Sequence, residues 1–382
     1  MILKIALLAD LHVGAIPSAQ LYKELKSSFL DFIQCRYIDM IVIAGDFYNS
    51  VLSLNSPSSI MAFQFMNEMM DICKKNGIRY VRVIEGTLSH DNFQIRNFSM
   101  YNEFSPDIDF RIIETVTVEE LCGTKILYIP KEYKENLTEY YERYFDVPKK
   151  YYDLVIGHGM FKETSFIKDD GENDVSKAPI LDSKLIGSIC KGPIFFGHIH
   201  TPTILRKHIY YIGSFSRWVY GQEEDKGFYL CVYDTDTKMY AVEFIVNPLA
   251  RRFDTIKVDI DKYDKPMDTL VKFARQIKRD NLRIQLIIES GERDCSYDIS
   301  FLKEYYAGKP GYKLEVLDKR EKLSQAKTEE RVQKILTDFN FLFDNSIPID
   351  TKIRKFIKRK NGKDVSEEMI RSILNMNNSE GA

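Results

Sequence analysis

Apolar residues fall in short runs along this chain of 382 residues, rich in Ile, Val, Leu and Tyr. Ile2 to Ala9, Met40 to Ala44, Tyr80 to Ile84, Lys125 to Ile129, Leu154 to Ile156, Ile194 to Phe196, Ile209 to Ile212 and Phe228 to Tyr233 predict strands. Between the early ones, Ala19 to Gln34 and Ile60 to Lys75 have helix-like spacing. Strands and helices thus alternate at first, and the pattern turns mostly β after about residue 190, which predicts a layered α/β body.

The pattern restarts beyond Asn247 and Pro248. Strand Thr255 to Ile260, helix Met267 to Arg279, strand Leu282 to Glu289, helix Tyr297 to Tyr306 and strand Lys313 to Leu317 suit a small second domain. From Lys327 on, Val332, Ile335, Leu336 and Phe339 form one helical stripe and Met369, Ile370, Ile373 and Leu374 another. Two helices joined by a basic stretch are expected to close the chain. The expected divisions are residues 1–248, 249–320 and 326–376.

Chemistry concentrates at the strand ends. Five of the six histidines sit beside Gly or Asp just after an apolar run, in Asp10-Leu11-His12, Ser89-His90-Asp91, Gly157-His158-Gly159 and Gly197-His198-Ile199-His200; Gly45-Asp46 follows the second strand in the same way. Strand ends of an α/β sheet present side chains to a crevice, and residues two apart on an extended chain share a side. Asp10 with His12, and His198 with His200, can each converge on one place. Carboxylate and imidazole donors suit first-row divalent ions better than Mg²⁺ or Ca²⁺, and no thiolate joins the set. Six ligands exceed what one catalytic ion takes from protein, so two ions are the economical answer. Taken singly, Asp-x-His or Gly-Asp is a common turn feature; the ordered set is what carries the signal. His208 lies outside it and reads as a surface residue.

Composition narrows the class without naming it. With 44% hydrophobic and 29% charged residues the chain should fold around a substantial core. The 54 basic and 56 acidic residues give a net charge of -2, so any nucleic-acid contact must be local. The start, MILKIALLAD, has neither a cleavage site nor the length of a membrane span and reads as a first strand in a cytoplasmic protein. Six scattered cysteines without a C-x-x-C pair read as buried free thiols.

In this order the segments resemble the calcineurin-like metallophosphoesterase family, and within it the SbcD-type DNA repair nucleases, including phage recombination versions. Gly213-Ser214-Phe215-Ser216-Arg217, Gly221-Gln222-Glu223-Glu224 and Lys226-Gly227-Phe228 are similar to the segment those nucleases carry after their last metal motif. The resemblance implies a four-layer sandwich of two mixed sheets flanked by helices, with a small α/β DNA-capping domain and a C-terminal helical pair that docks an SbcC-type coiled-coil ABC ATPase. It implies a homodimer within a heterotetramer, located in the cytoplasm, or the host cytoplasm for a phage protein. It further implies that Asp10, His12 and His200 hold one ion, His158 and His198 the other, with Asp46 bridging, and that manganese activates. His90 matches the family's catalytic histidine, with Asp91 expected to orient it.

One departure stands out. The family reads Gly-Asn-His-Asp, whereas here Gly86 is followed by Thr87, Leu88 and Ser89 before His90, so the amide ligand of the second ion is missing. Ser89 is the candidate replacement; Asn92 lies on the wrong side of His90. Arg217 is a candidate phosphate contact on DNA through a forked hydrogen bond. Lys352, Arg354, Lys355, Lys358, Arg359, Lys360 and Lys363 form a basic run that either binds phosphates or the ATPase or is a solvated turn. The expected activity is exonucleolytic and endonucleolytic cleavage of DNA. Two alternatives stay open: a small-molecule phosphatase or phosphodiesterase with the same cage, and a non-catalytic subunit that binds DNA ends.

Overall fold

Along the first strand, β1 (Ile2–Leu8), alternate side chains go to opposite sides and enter two different cores. Leu3, Ile5 and Leu7 meet residues of a second sheet, whereas Ala6 and Leu8 meet helices. A computed structural model describes residues 1–131, 137–164, 180–259, 281–288, 300, 303–304, 311–318, 340–342, 344, 346–361, 364–366 and 368–370.

The strands that follow are β2 (Met40–Ala44), β3 (Tyr80–Ile84), β4 (Asp109–Ile113), β5 (Thr117–Leu121), β6 (Thr124–Ile129), β7 (Leu154–His158), β8 (Met160–Phe161), β9 (Ile180–Leu181), β10 (Ile194–Gly197), β11 (Thr203–Leu205), β12 (Ile209–Tyr211), β13 (Gly227–Asp234) and β14 (Tyr240–Val246). One six-stranded sheet has the order β14-β13-β1-β2-β3-β4 and the other β11-β12-β10-β7-β6-β5. Both are mixed: β1 to β4 run parallel with antiparallel β13 and β14 added, and β6, β7, β10 and β12 run parallel between antiparallel β5 and β11.

The sheets face each other over Leu3, Ile5, Met40, Val42 and Ile84 on one side and Ile126, Tyr128, Leu154, Ile156 and Phe195 on the other. The outer face of the first sheet is covered by Leu21, Phe29, Phe65 and Met69 from helical segments, and that of the second by Tyr141, Ile186 and Ile189. Helix, sheet, sheet and helix thus make the expected α/β sandwich. Buried Arg82 of β3 also spans the gap, donating to Glu119 of β5 at 3.0 and 2.7 Å.

The helix predicted over Ala19 to Gln34 is present from Ser18, but its middle turn, Leu25–Leu30, widens into a π-helix. The second begins at Pro57, three residues before the apolar stripe, because Ser56 caps it by accepting the Ser59 N–H and proline suits the first turn. Left-handed Gly77 ends it.

Two compact units divide the chain: Met1–Ile256 with Ile277–Arg283 and Lys309–Lys313, and Lys257–Gln276 with Ile284–Gly308 and Leu314–Ala382. A three-stranded sheet follows the order Phe253–Asp259, Asn281–Ile288, Tyr312–Asp318. The helix predicted at Met267 to Arg279, most of the one at Tyr297 to Tyr306, and the stripe residues Val332, Ile335, Leu336, Phe339, Ile373 and Leu374 lie outside the described residues.

The basic stretch is a correction: it is no turn between helices but lies for the most part within a helix, Ile349–Asn361. Arg354 and Lys358 pair there with Asp364, while Lys355 and Arg359 lie over Phe341. Among the described cysteines Cys73, Cys190 and Cys231 are buried free thiols, as expected, whereas Cys35 is exposed. No helix among the described residues is long and apolar enough to cross a membrane.

Candidate metal centre

Five parallel strands, β1, β2, β3, β7 and β10, deliver the site from their C-terminal ends, where a parallel sheet opens its crevice. Past those of β1 and β2 the chain stays paired: the N–H groups of Asp10 and His12 donate to the carbonyls of Gly45 and Asp46, both at 3.1 Å. Asp10, His12, Asp46, His158, His198 and His200 are all buried.

These six form two triads, Asp10 with His12 and His200, and Asp46 with His158 and His198, the ligand atoms of each lying within 4.8 Å of one another. In the first, the Nε2 atoms of His12 and His200 face each other at 3.1 Å. In the second, His158 Nε2 lies 3.1 Å from an oxygen of Asp46, which is also 3.9 Å from His12 Nε2. Asp46 is therefore the carboxylate between the two groups.

Do these residues fit ions? Ligands about 2.1 Å from a common ion stand about 3 Å apart when they subtend a right angle, the spacing found here. His158 gives a second test. Its Nδ1 lies 2.9 Å from the carbonyl of Ala44 and must carry the hydrogen, leaving Nε2 as a buried lone pair with no hydrogen-bond partner, turned toward a carboxylate. Two acceptors so placed repel unless a cation joins them, and a carbonyl on the far nitrogen is the usual brace of a metal-binding imidazole.

The backbone adds a third indication. Asp10 (φ 50), His12 (φ 45), Asp46 (φ 49) and His198 (φ 98) all sit in the left-handed region, which side-chain-bearing residues avoid at about 1–3 kcal/mol each. Such strain gathers at functional sites. Glycine is required where the cage is tightest: a Cβ on Gly45 would stand 2.1 Å from His158 Nδ1, and one on Gly86 2.1 Å from the Asp46 nitrogen.

The segment Gly213 to Phe228 supports His200. Ser214 N–H and the Lys226 ammonium donate to the His200 carbonyl at 3.0 and 2.8 Å, and the Gln222 amide lies 3.5 Å from His200 Nδ1. Trp218, the only tryptophan in the chain, lies against the rings of His12 and His200 at 4.5 and 4.7 Å between centroids.

His90 is partly exposed, its ring 4.7 Å from that of His12, and its Nδ1 meets the Asn49 carbonyl at 2.6 Å. Asn49, rather than Asp91, orients it. The oxygens of Asp91 accept the N–H groups of Tyr48 (2.9 Å) and Gly86 (2.8 Å), so this carboxylate joins two loops. Burial, then the nearby charge of Asp46, raises the Asp91 pKa well above the usual range.

Ser89 is exposed, and Thr87 is the residue beside Asp46, donating to it through its N–H and, at 3.1 Å, through its hydroxyl. Sequence reasoning missed Thr87; its place directly after a strand-end glycine, as in Gly45-Asp46 and Gly197-His198, is the signal that could have found it. Lys131, two residues past the end of β6, is buried with its ammonium 2.9 Å from Thr87 Oγ1 and 3.3 Å from His198 Nδ1. Its position at a strand end was the only sequence cue. Arg217 is not available as a phosphate fork: it is buried, and its guanidinium donates to the carbonyls of Glu224, Ala250 and Arg251.

No protein-family model and no curated protein matches the chain. Among solved structures, a hypothetical protein from Thermus thermophilus aligns over 63% of this chain and 97% of its own, at 12% identity and a TM-score of 0.34. A glutamine-dependent NAD+ synthetase from Acinetobacter baumannii, in complex with ADP, aligns over 98% of this chain and 73% of its own, at 11% identity and a TM-score of 0.31. At such scores neither similarity bears on fold or function. The site itself speaks more clearly: two buried Asp/His triads in a sandwich of two mixed sheets could hold two ions and are compatible with a metallophosphoesterase. A binuclear site of this kind suggests a metal-dependent hydrolase.

Proposed function

We propose that this chain is a two-metal DNA nuclease that works with an SbcC-type ABC ATPase. The observation that carries the reading is the pair of triads with Asp46 between them and the His90 ring beside His12. A pair of divalent ions, manganese first, supplies water activated at neutral pH and positive charge for the oxygens of a phosphoryl group. Asp10, His12 and His200 would hold one ion and His158 and His198 the other, with Asp46 placed between the two groups. The Asn49 carbonyl accepts the Nδ1 hydrogen of His90, so Nε2 is the atom that faces the reaction, and the ring gives its Nε2 proton to the leaving oxygen when it is in the imidazolium form. DNA is favoured over a small ester by the likeness of the Gly213 to Phe228 segment to that of SbcD-type nucleases. The chain's C-terminal residues, 326–376, are the proposed ATPase-docking segment, in an assembly with two copies of each subunit.

The test uses purified full-length protein with Mn²⁺ on linear duplex DNA and on a small aryl phosphate. Cleavage of DNA, reduced roughly 10²–10⁴-fold in His90→Ala while Mn²⁺ binding is unchanged, is the expected result. Hydrolysis of the aryl phosphate alone would mark a phosphatase. Ion binding with neither reaction would mark a DNA-end-binding subunit.

A further inference from the structure

The second triad has a cation built into its wall. Lys131 follows Ile129 and Pro130 at the end of β6, with its N–H directed to the Glu85 carbonyl at 3.3 Å. Its side chain is 2% exposed and reaches both Thr87 Oγ1 and His198 Nδ1. Thr87 in turn donates to Asp46. One ammonium thus contacts one ligand of the second triad directly and another through a hydroxyl. Neither contact involves Asp10, His12 or His200.

An ammonium only donates hydrogen bonds, and a neutral imidazole has one nitrogen that donates and one that accepts. With Lys131 donating to Nδ1 of His198, the ring proton stands on Nε2, and neither nitrogen has a lone pair left for a metal. If His198 binds through Nδ1, the ammonium must withdraw. If it binds through Nε2, the proton must move to Nδ1, which then faces the ammonium donor to donor. Whichever nitrogen faces the ion, the Lys131–His198 hydrogen bond and an ion in the second triad exclude one another. Charge works the same way, since a divalent ion must approach a positive group held nearby in a buried site.

We infer that Lys131 is a competing cation that makes the second ion bind much more weakly than the first, so that second-site occupancy follows the ambient concentration of divalent metal. This rests on the binuclear reading above. Thr87 contributes by filling the space beside Asp46 and by anchoring the ammonium.

The test is a Mn²⁺ titration of the full chain, with free Mn²⁺ read by electron paramagnetic resonance, on wild type, Lys131→Met and Lys131→Arg. Wild type should bind one ion at least tenfold more tightly than the second. Lys131→Met should tighten the second at least tenfold and leave the first within about twofold, while Lys131→Arg should stay near wild type. Equal affinities in wild type, or a second affinity unmoved by Lys131→Met, would overturn the inference and leave the binuclear reading intact; no binding by any of the three proteins would sink both. Should Lys131→Met fail to fold, ¹⁵N-histidine NMR of metal-free wild type decides: His198 should carry its proton on Nε2, and a proton on Nδ1 would refute the competition. With six histidines in the chain the spectrum can be assigned by single substitutions.

Discussion

Asp10, His12 and His200 are braced by groups that leave two ring nitrogens facing each other, whereas Asp46, His158 and His198 share their space with a threonine and an ammonium. On the first side the supporting donors, Ser214 and Lys226, act on the His200 backbone carbonyl and leave Nε2 alone. On the second side Lys131 acts on a ring nitrogen itself. The same kind of residue, a buried lysine, thus braces one ligand from behind and competes with the ion at another. What decides the difference is the atom each ammonium reaches.

The largest test of that comparison removes what the two sides share. Asp46→Ala should abolish both Mn²⁺ binding events above micromolar affinity and, under the proposed function, reduce DNA cleavage to background; loss of one event alone would show that Asp46 serves a single triad.

A pH series probes the second side. Burial is the main cause that raises the Glu85 pKa from its ordinary 4.5 to about 7. Because the folded-state value is the higher one, the fold favours the protonated acid. That stabilisation is fully present below pH 4.5 and is lost as pH rises through about 7. The loss is on the order of 3 kcal/mol in the metal-free protein. Glu85→Gln should therefore unfold at higher urea than wild type at pH 8 and at nearly the same urea at pH 4.5. Parallel curves across this range would show that Glu85 is not the group responsible.

The smallest effect belongs to the first side. Lys226→Met should weaken the tighter ion by about 10–100-fold, as loss of an outer support commonly does, and leave the weaker one unchanged. Weakening of both ions together would mean that the two sides are mechanically coupled and the comparison drawn too sharply.

Much of this arrangement could be read from the sequence because buried parallel strands are short apolar runs and their ends carry the chemistry. Met40–Ala44 and Tyr80–Ile84 coincide with their predicted bounds. β4 and β5 were hidden by charge: DFRII and TVEEL look like surface, yet Glu119 is buried against Arg82. β14, YAVEFIV, carries a single charge and is apolar enough to predict a strand; it is absent from the expected strands without that reason. At the site, nearness in sequence misled twice. Ser89 adjoins His90 along the chain but turns outward, and Asp91 follows His90 but holds the amides of Tyr48 and Gly86. Lys131 and Asn49 act across loops, where no local pattern records the contact.

The left-handed backbone at Asp10, His12, Asp46 and His198 has a consequence for how the protein would handle metal. Since the turns are held by strand pairing and by the sandwich behind them, the shape of the basket is inherited from the fold and does not depend on cargo. Ions would then be loaded, stripped by a chelator and exchanged for another species with movement of side chains such as Lys131 and none of the backbone turns.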